Sequence, residues 1–207
     1  MDQKVIIETT VKTAETEDGS DSNTATVSTG KDNRTAEAII KLSPALDAGQ
    51  AGDVASDGVD GLATDHGIEG TDIIGVSWGT SCRYGITVDS ASANAITFDA
   101  TPTPGGDAMP AEGTAVVVSV ENDIIIGGDG DNVQALAIKC DYAAHVRFEE
   151  SDGTVIHAVD ITAGDVYTWL ADSNVANPLT GNPWTKIVAI NKAVTAASLE
   201  ITILYDT

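Results

Sequence analysis

The sequence predicts an all-β protein: an antiparallel β-sandwich or jelly-roll-like C-terminal unit, preceded by a smaller β unit and an extended N-terminal arm. Short Val/Ile/Thr runs such as Ile73-Ile74-Gly75-Val76, Val116-Val117-Val118 and Ile124-Ile125-Ile126 recur at strand-like spacing and are cut by Gly, Pro, Asp and Asn. The last third alternates apolar with polar residues, as in Leu199, Ile201, Ile203 and Tyr205 against Glu200, Thr202 and Leu204. A disordered acidic chain would lack such apolar clusters, so the chain should fold from about residue 70 onward.

Residues 1–44 read as an extended arm with short β segments. Val5-Ile6-Ile7 and the run 24–27 favour strands, and the polar stretch 15–23 separates them. Ala36, Ile39 and Ile40 sit at helical spacing and stop at Ser43-Pro44, so a helical turn and a strand both fit there. Residues 45–72 are rich in Gly, Ala and Asp and hold neither period 2 nor period 3.6, which predicts a linker or long loop.

Residues 73–126 predict a small β domain, with strands over 73–77, 84–89, 95–98 and 114–120 and a Pro/Gly loop at 101–106. The cluster Gly127-Gly128-Asp129-Gly130-Asp131-Asn132 marks a boundary. Residues 127–207 then predict the sandwich domain, with strands over 133–139, 144–149, 155–159, 166–170, 186–190 and 199–205. Ser151-Asp152-Gly153 suits a hairpin turn between the second and third of these, and no fixed-period repeat suggests a solenoid or propeller.

Composition narrows the function. Between residues 42 and 138 fifteen carboxylates face one base, Arg83, and the whole chain carries a net charge of −22. Such a surface repels phosphate backbones and anionic membranes, so neither nucleic acid nor membrane is an expected partner. No basic stretch followed by an apolar one opens the chain, and no apolar run approaches the ~20 residues of a membrane span, so a soluble protein is expected. With two Phe, four Tyr and three Trp, the core has few of the side chains that each bury about 150–250 Å². Burial shared between subunits is the expected remedy. Two cysteines, Cys82 and Cys140, leave one disulfide open without making a framework.

The motifs resembling chemistry have plainer readings. Gly75-Val76-Ser77-Trp78-Gly79 matches a nucleophile elbow, which needs a strand before the serine and a helix after it; residues 80–85 form no amphipathic helix, so Ser77 is expected to be a strand residue. His145 and His157 flank the Asp152-Gly153 turn and could face each other, sharing a metal with Asp141 or Glu149, but their spacing fits no metal signature. Asp129, Asp131 and Asn132 form a weak divalent-cation candidate; the fifth loop position would be Val133 and no glutamate closes it, so a tight turn explains them as well. Glu149, Glu150 and Asp160 could pair for glycoside hydrolysis, yet Trp78, Trp169 and Trp184 are scattered and suit core or loop anchors better than sugar platforms. No phosphate-binding loop, dinucleotide fingerprint or paired-cysteine motif appears. The expectation is no enzyme, with no catalytic residues, no cofactor and no dedicated metal site.

Ala95-Ile96-Thr97-Phe98-Asp99-Ala100-Thr101-Pro102, followed by Gly113-Thr114-Ala115-Val116-Val117-Val118, resembles the Ala/Thr/Gly-rich hairpins of tailed-bacteriophage virion proteins. Ala163-Gly164-Asp165-Val166-Tyr167-Thr168-Trp169 is similar to strands of their capsid decoration or cement proteins. The resemblance is one of style over roughly residues 70–207. It implies a virion subunit that trimerises and clamps the major capsid protein or another virion protein, with no catalytic residues to carry over. The acidic arm at residues 1–35 also fits a neck, tail or fibre protein of the same virion. The rival expectation is a carbohydrate- or calcium-binding adhesion module, resting on the acid clusters and the tryptophans.

Overall fold

The structure, a computed structural model, describes residues 37–99, 105–125, 133–170 and 184–206. Residues 5–27 of the expected arm, the boundary at 127–132 and the cation candidates Asp129, Asp131 and Asn132 lie outside them. The protein is all-β, and its antiparallel sheets pack in a sandwich-like arrangement.

The strands run in chain order as β1 (Glu37–Leu42), β2 (Ala45–Leu46), β3 (Gln50–Ala55), β4 (Gly58–Asp60), β5 (Ile73–Trp78), β6 (Ser81–Thr87), β7 (Ser90–Ala91), β8 (Ala95–Thr97) and β9 (Gly105–Gly106). There follow β10 (Ala115–Val120), β11 (Asn122–Ile125), β12 (Val133–Cys140), β13 (Ala144–Glu149), β14 (Val155–Ile161), β15 (Val166–Leu170), β16 (Lys186–Asn191) and β17 (Ala197–Asp206). A five-stranded sheet has the order β1-β17-β12-β15, with β2 also on β17; a four-stranded sheet runs β11-β16-β13-β14; an eight-stranded sheet runs β7-β8-β4-β3-β10-β5-β6-β9.

The five- and four-stranded sheets enclose one core. Val133, Leu136, Ile138, Leu199, Ile201 and Ile203 from the first meet Val146, Phe148, Ile187 and Ala189 from the second, with Trp184 edge-on to Phe148 at 5.0 Å. A second core lies within the eight-stranded sheet, where Val54, Val59, Ile74, Val76, Ile86, Ile96 and Val118 gather. The four-stranded sheet is the middle layer. Every residue of β13 is buried, as are 187–191 of β16, so both faces of these strands are covered.

Two expectations are corrected. Residues 45–72 do not form a linker: β2, β3 and β4 lie there, β3 bridges β4 and β10, and β4 pairs with β8. Gly58 is required at that join, because a Cβ would collide with the Ile96 carbonyl oxygen. Leu46 is fully buried, and the Asn191 side-chain amide donates to the carbonyls of Asp47 and Thr195, each at 2.8 Å. Secondly, the units are not sequential blocks. β1 and β2 pair with β17, and β11 joins β16, so the sandwich recruits strands from before the boundary at 127–132. Residues 37–42 are thereby a strand and not a helical turn.

Candidate functional site: a buried charge lock between two sheets

Alternation along β13 points Ala144, Val146 and Phe148 into the sandwich core and His145, Arg147 and Glu149 the other way, against the eight-stranded sheet. Gly75 of β5 meets Ile190 of β16 on that second face. A Cβ at Gly75 would lie 2.6 to 3.0 Å from three Ile190 side-chain carbons, so glycine lets the two sheets approach.

Arg147 organises the polar part. Its Nη1 and Nη2 donate to Glu121 Oε1 and Oε2 at 2.9 and 2.7 Å, and its Nε donates to Glu149 Oε1 at 2.8 Å. The guanidinium carbon stands 4.2 Å from the centre of the Tyr84 ring. Glu121 belongs to the eight-stranded side: its amide donates to Ile73 O, and its Oε1 also accepts the Gly85 N–H at 2.7 Å. Lys186 extends the chain, with Nζ 3.2 Å from Glu149 Oε2 and 3.0 Å from Asp123 Oδ2.

The Arg147, Glu121 and Glu149 side chains are only 3, 7 and 6 % exposed. Burial alone would lower the Arg147 pKa, but hydrogen bonds and negative charge from Glu121 and Glu149 outweigh it and raise the value. Lys186 follows the same pattern, with Asp123 and Glu149 overcoming its desolvation.

A smaller cluster sits beside the first. His145 stacks on Tyr84 with centroids 5.3 Å apart, and its Nδ1 lies 3.1 Å from Asp160 Oδ1. Lys192 Nζ donates to the same oxygen at 2.9 Å and to Thr80 O, in the β5–β6 turn, at 3.1 Å. Burial raises the Asp160 pKa, yet the hydrogen bonds from His145 and Lys192 prevail and hold it below the usual carboxylate value. Cations and carboxylates are thus matched along the buried face of the four-stranded sheet, and Arg147–Glu121 and the Lys192 bond to Thr80 O carry the contact across the seam. The arrangement immobilises charge and joins sheets.

Ser77 lies in β5, 3 % exposed, and its Oγ donates to Cys82 Sγ at 3.5 Å. A turn with Gly79 at φ 54° leads from it into β6, so a strand stands where a nucleophile elbow has its helix. Burial pushes the Cys82 thiol pKa up to about 11. Cys82 and Cys140 are both free, so the bridge left open by sequence is not formed.

His145 and His157 do not face each other. The register sets His145 opposite Asp160 and His157 opposite Phe148, which puts the two rings on opposite faces of the sheet. His157 stacks against Phe148 on the core side. His66 has both nitrogens engaged, Nε2 with Ser92 O at 2.8 Å and Nδ1 accepting the Ile68 N–H at 3.0 Å. Among the described residues no group of three or more His, Cys, Asp or Glu side chains could hold a metal ion. The glycosidase candidates Glu149 and Asp160 are each committed to ion pairs. Trp169 and Trp184 lie in the sandwich core and Trp78 packs against the second core.

Sequence reading missed Arg147, Glu121 and Lys186. The available signal was Arg147 and Glu149 two apart on one strand, hence on one face, in a chain with ten bases for 32 acids. No protein-family model, curated protein or solved structure matches this chain.

Proposed function

We propose that this chain is a structural virion protein, a capsid decoration or cement subunit that works as a homotrimer bound to a major capsid protein and stabilises a head lattice. The reading rests chiefly on one observation: the side chains best equipped for chemistry, Arg147, Glu149, Lys186, His145 and Asp160, are bound to one another on the face of the four-stranded sheet that packs against the eight-stranded sheet, with Arg147 tied across the seam to Glu121. The result is a stiff body whose surface is strongly acidic, suited to adhesion and not to turnover. The adhesion-module alternative loses its tryptophan platforms, since Trp169 and Trp184 are buried.

Electron microscopy of the native assembly recovered with the chain tests this. The expected result is the chain repeated on a regular protein shell. Recovery as a free subunit, with no lattice in the preparation, overturns the reading.

A further inference from the structure

The four-stranded sheet ends at β14, whose only strand partner among the described residues is β13. Edges of this kind are usually kept short, charged or covered, because unpaired N–H and C=O groups recruit another strand. Of the other outer strands, β15 is also uncharged but shorter, at five residues, and the rest follow that rule better. β7 and β9 are two residues long, β11 is four, and β1 carries Glu37 and Lys41. β14 has seven residues with a single charge, Asp160, which Lys192 and His145 already hold. Val155 is 37 % exposed, and residues 156–159 are half-buried.

The chain contains a segment that fits this edge. Residues 5–11 read Val-Ile-Ile-Glu-Thr-Thr-Val, seven residues of which six are β-branched, the length of β14. Lys4 and Lys12 bracket the run, whereas the acids flanking β14 are Glu150 and Asp152 before it and Asp165 after it, Asp160 being already held by Lys192 and His145. A β-favouring run with a base at each end is thus complementary in charge to an edge with acids beyond each end, in either direction. β1, which residues 1–36 precede, stands at the opposite side of the sandwich from β15, the strand that follows β14.

We propose that β14 is a docking edge for residues 5–11 of a second copy of the chain, added as a fifth strand to the four-stranded sheet. This names the contact that builds the oligomer and rests on the oligomeric part of the proposed function. Main-chain hydrogen bonds supply the attraction, and the lysines fix the placement. Arm-to-edge contact is head-to-tail, so three copies can close into a ring.

Aligning the two seven-residue strands puts Glu8 opposite Ala158 whichever way the arm runs. Glu8→Cys and Ala158→Cys variants, the first carrying a size tag, are co-expressed and treated with a short bismaleimide; the native Cys82 and Cys140 are buried. The expected product is a cross-linked pair of one tagged and one untagged chain, absent when either variant is made alone. An Ile6→Asp/Ile7→Asp variant, altered only in the arm, should shift the oligomer to monomer while its circular dichroism stays that of the folded parent. Cross-linking of Ala158→Cys to itself, or an oligomer in light scattering without the mixed product, overturns the arm contact and leaves the oligomer standing. Ring closure within one chain of a Glu8→Cys/Ala158→Cys double variant places the arm on its own edge and overturns it too. Monomer under all conditions overturns the oligomeric reading itself.

Discussion

Arg147 and Glu121 meet fork to fork across the seam between two sheets, with both guanidinium Nη atoms on the two carboxylate oxygens at 2.9 and 2.7 Å. Neither residue has water to fall back on, and Glu149 and Tyr84 complete the cage around the cation. Such a pair is a weak source of net stability and a strong source of fragility, because removing one partner strands a buried charge.

Arg147→Met should therefore lower unfolding free energy by about 3–5 kcal/mol, read from urea denaturation. Adding Glu121→Gln and Glu149→Gln to it should recover part of the loss, since the stranded carboxylates disappear. Equal stability of the single variant and the parent would show that the pair is not buried as described.

Gly75→Ala should cost about 1–3 kcal/mol by forcing Ile190 from its place at the join. Combining it with Ile190→Ala opens the space, so the double variant should be less destabilised than the sum of the two singles. Additivity in that cycle would contradict direct contact.

Thiol chemistry reports on the two interiors. Cys82 is 3 % exposed with its pKa pushed up to about 11, and Cys140 is buried with its value also raised. Iodoacetamide at pH 8 should leave both unmodified in the folded protein and label both in urea. Fast labelling of either under native conditions would mean that its core is open.

Acid should weaken the fold in two stages. Burial holds the His157 pKa below its ordinary value, so the folded state prefers the neutral ring. That contribution is complete above about pH 6.5 and is lost as pH falls through that value toward the lower folded one. Asp160 is also lowered, so its contribution holds above about pH 3.9 and is lost as pH falls through its depressed folded value. His157→Phe should remove the upper stage from a plot of unfolding midpoint against pH and keep the lower. An unchanged plot would remove His157 from the explanation.

The strands of the C-terminal third were legible because each alternates strongly and is bounded by turns; the expected 144–149 and 166–170 are β13 and β15 without adjustment. β3, Gln-Ala-Gly-Asp-Val-Ala, and β4, Gly-Val-Asp, were not, because composition gives them little strand preference. Pairing with β10 and β8 holds them extended, and those partners lie far along the chain. The charge lock was hidden for another reason. His145, Arg147 and Glu149 on alternate positions look like a strand's wet face, and period 2 cannot distinguish water from a second sheet. The pairing of His145 with Asp160 in place of His157 depended on register, which a turn motif alone left three residues adrift.

Assembly of an acid-coated subunit is the centre of the account, and light scattering of the full chain across a salt series tests it most directly. Subunits at −22 repel one another over roughly 30 Å at 0.01 M salt and over about 8 Å at 0.15 M. The predicted result is a mass that rises from one chain toward three as salt or divalent cation is added. One chain at every ionic strength, with no binding to any capsid or other protein scaffold, would contradict it.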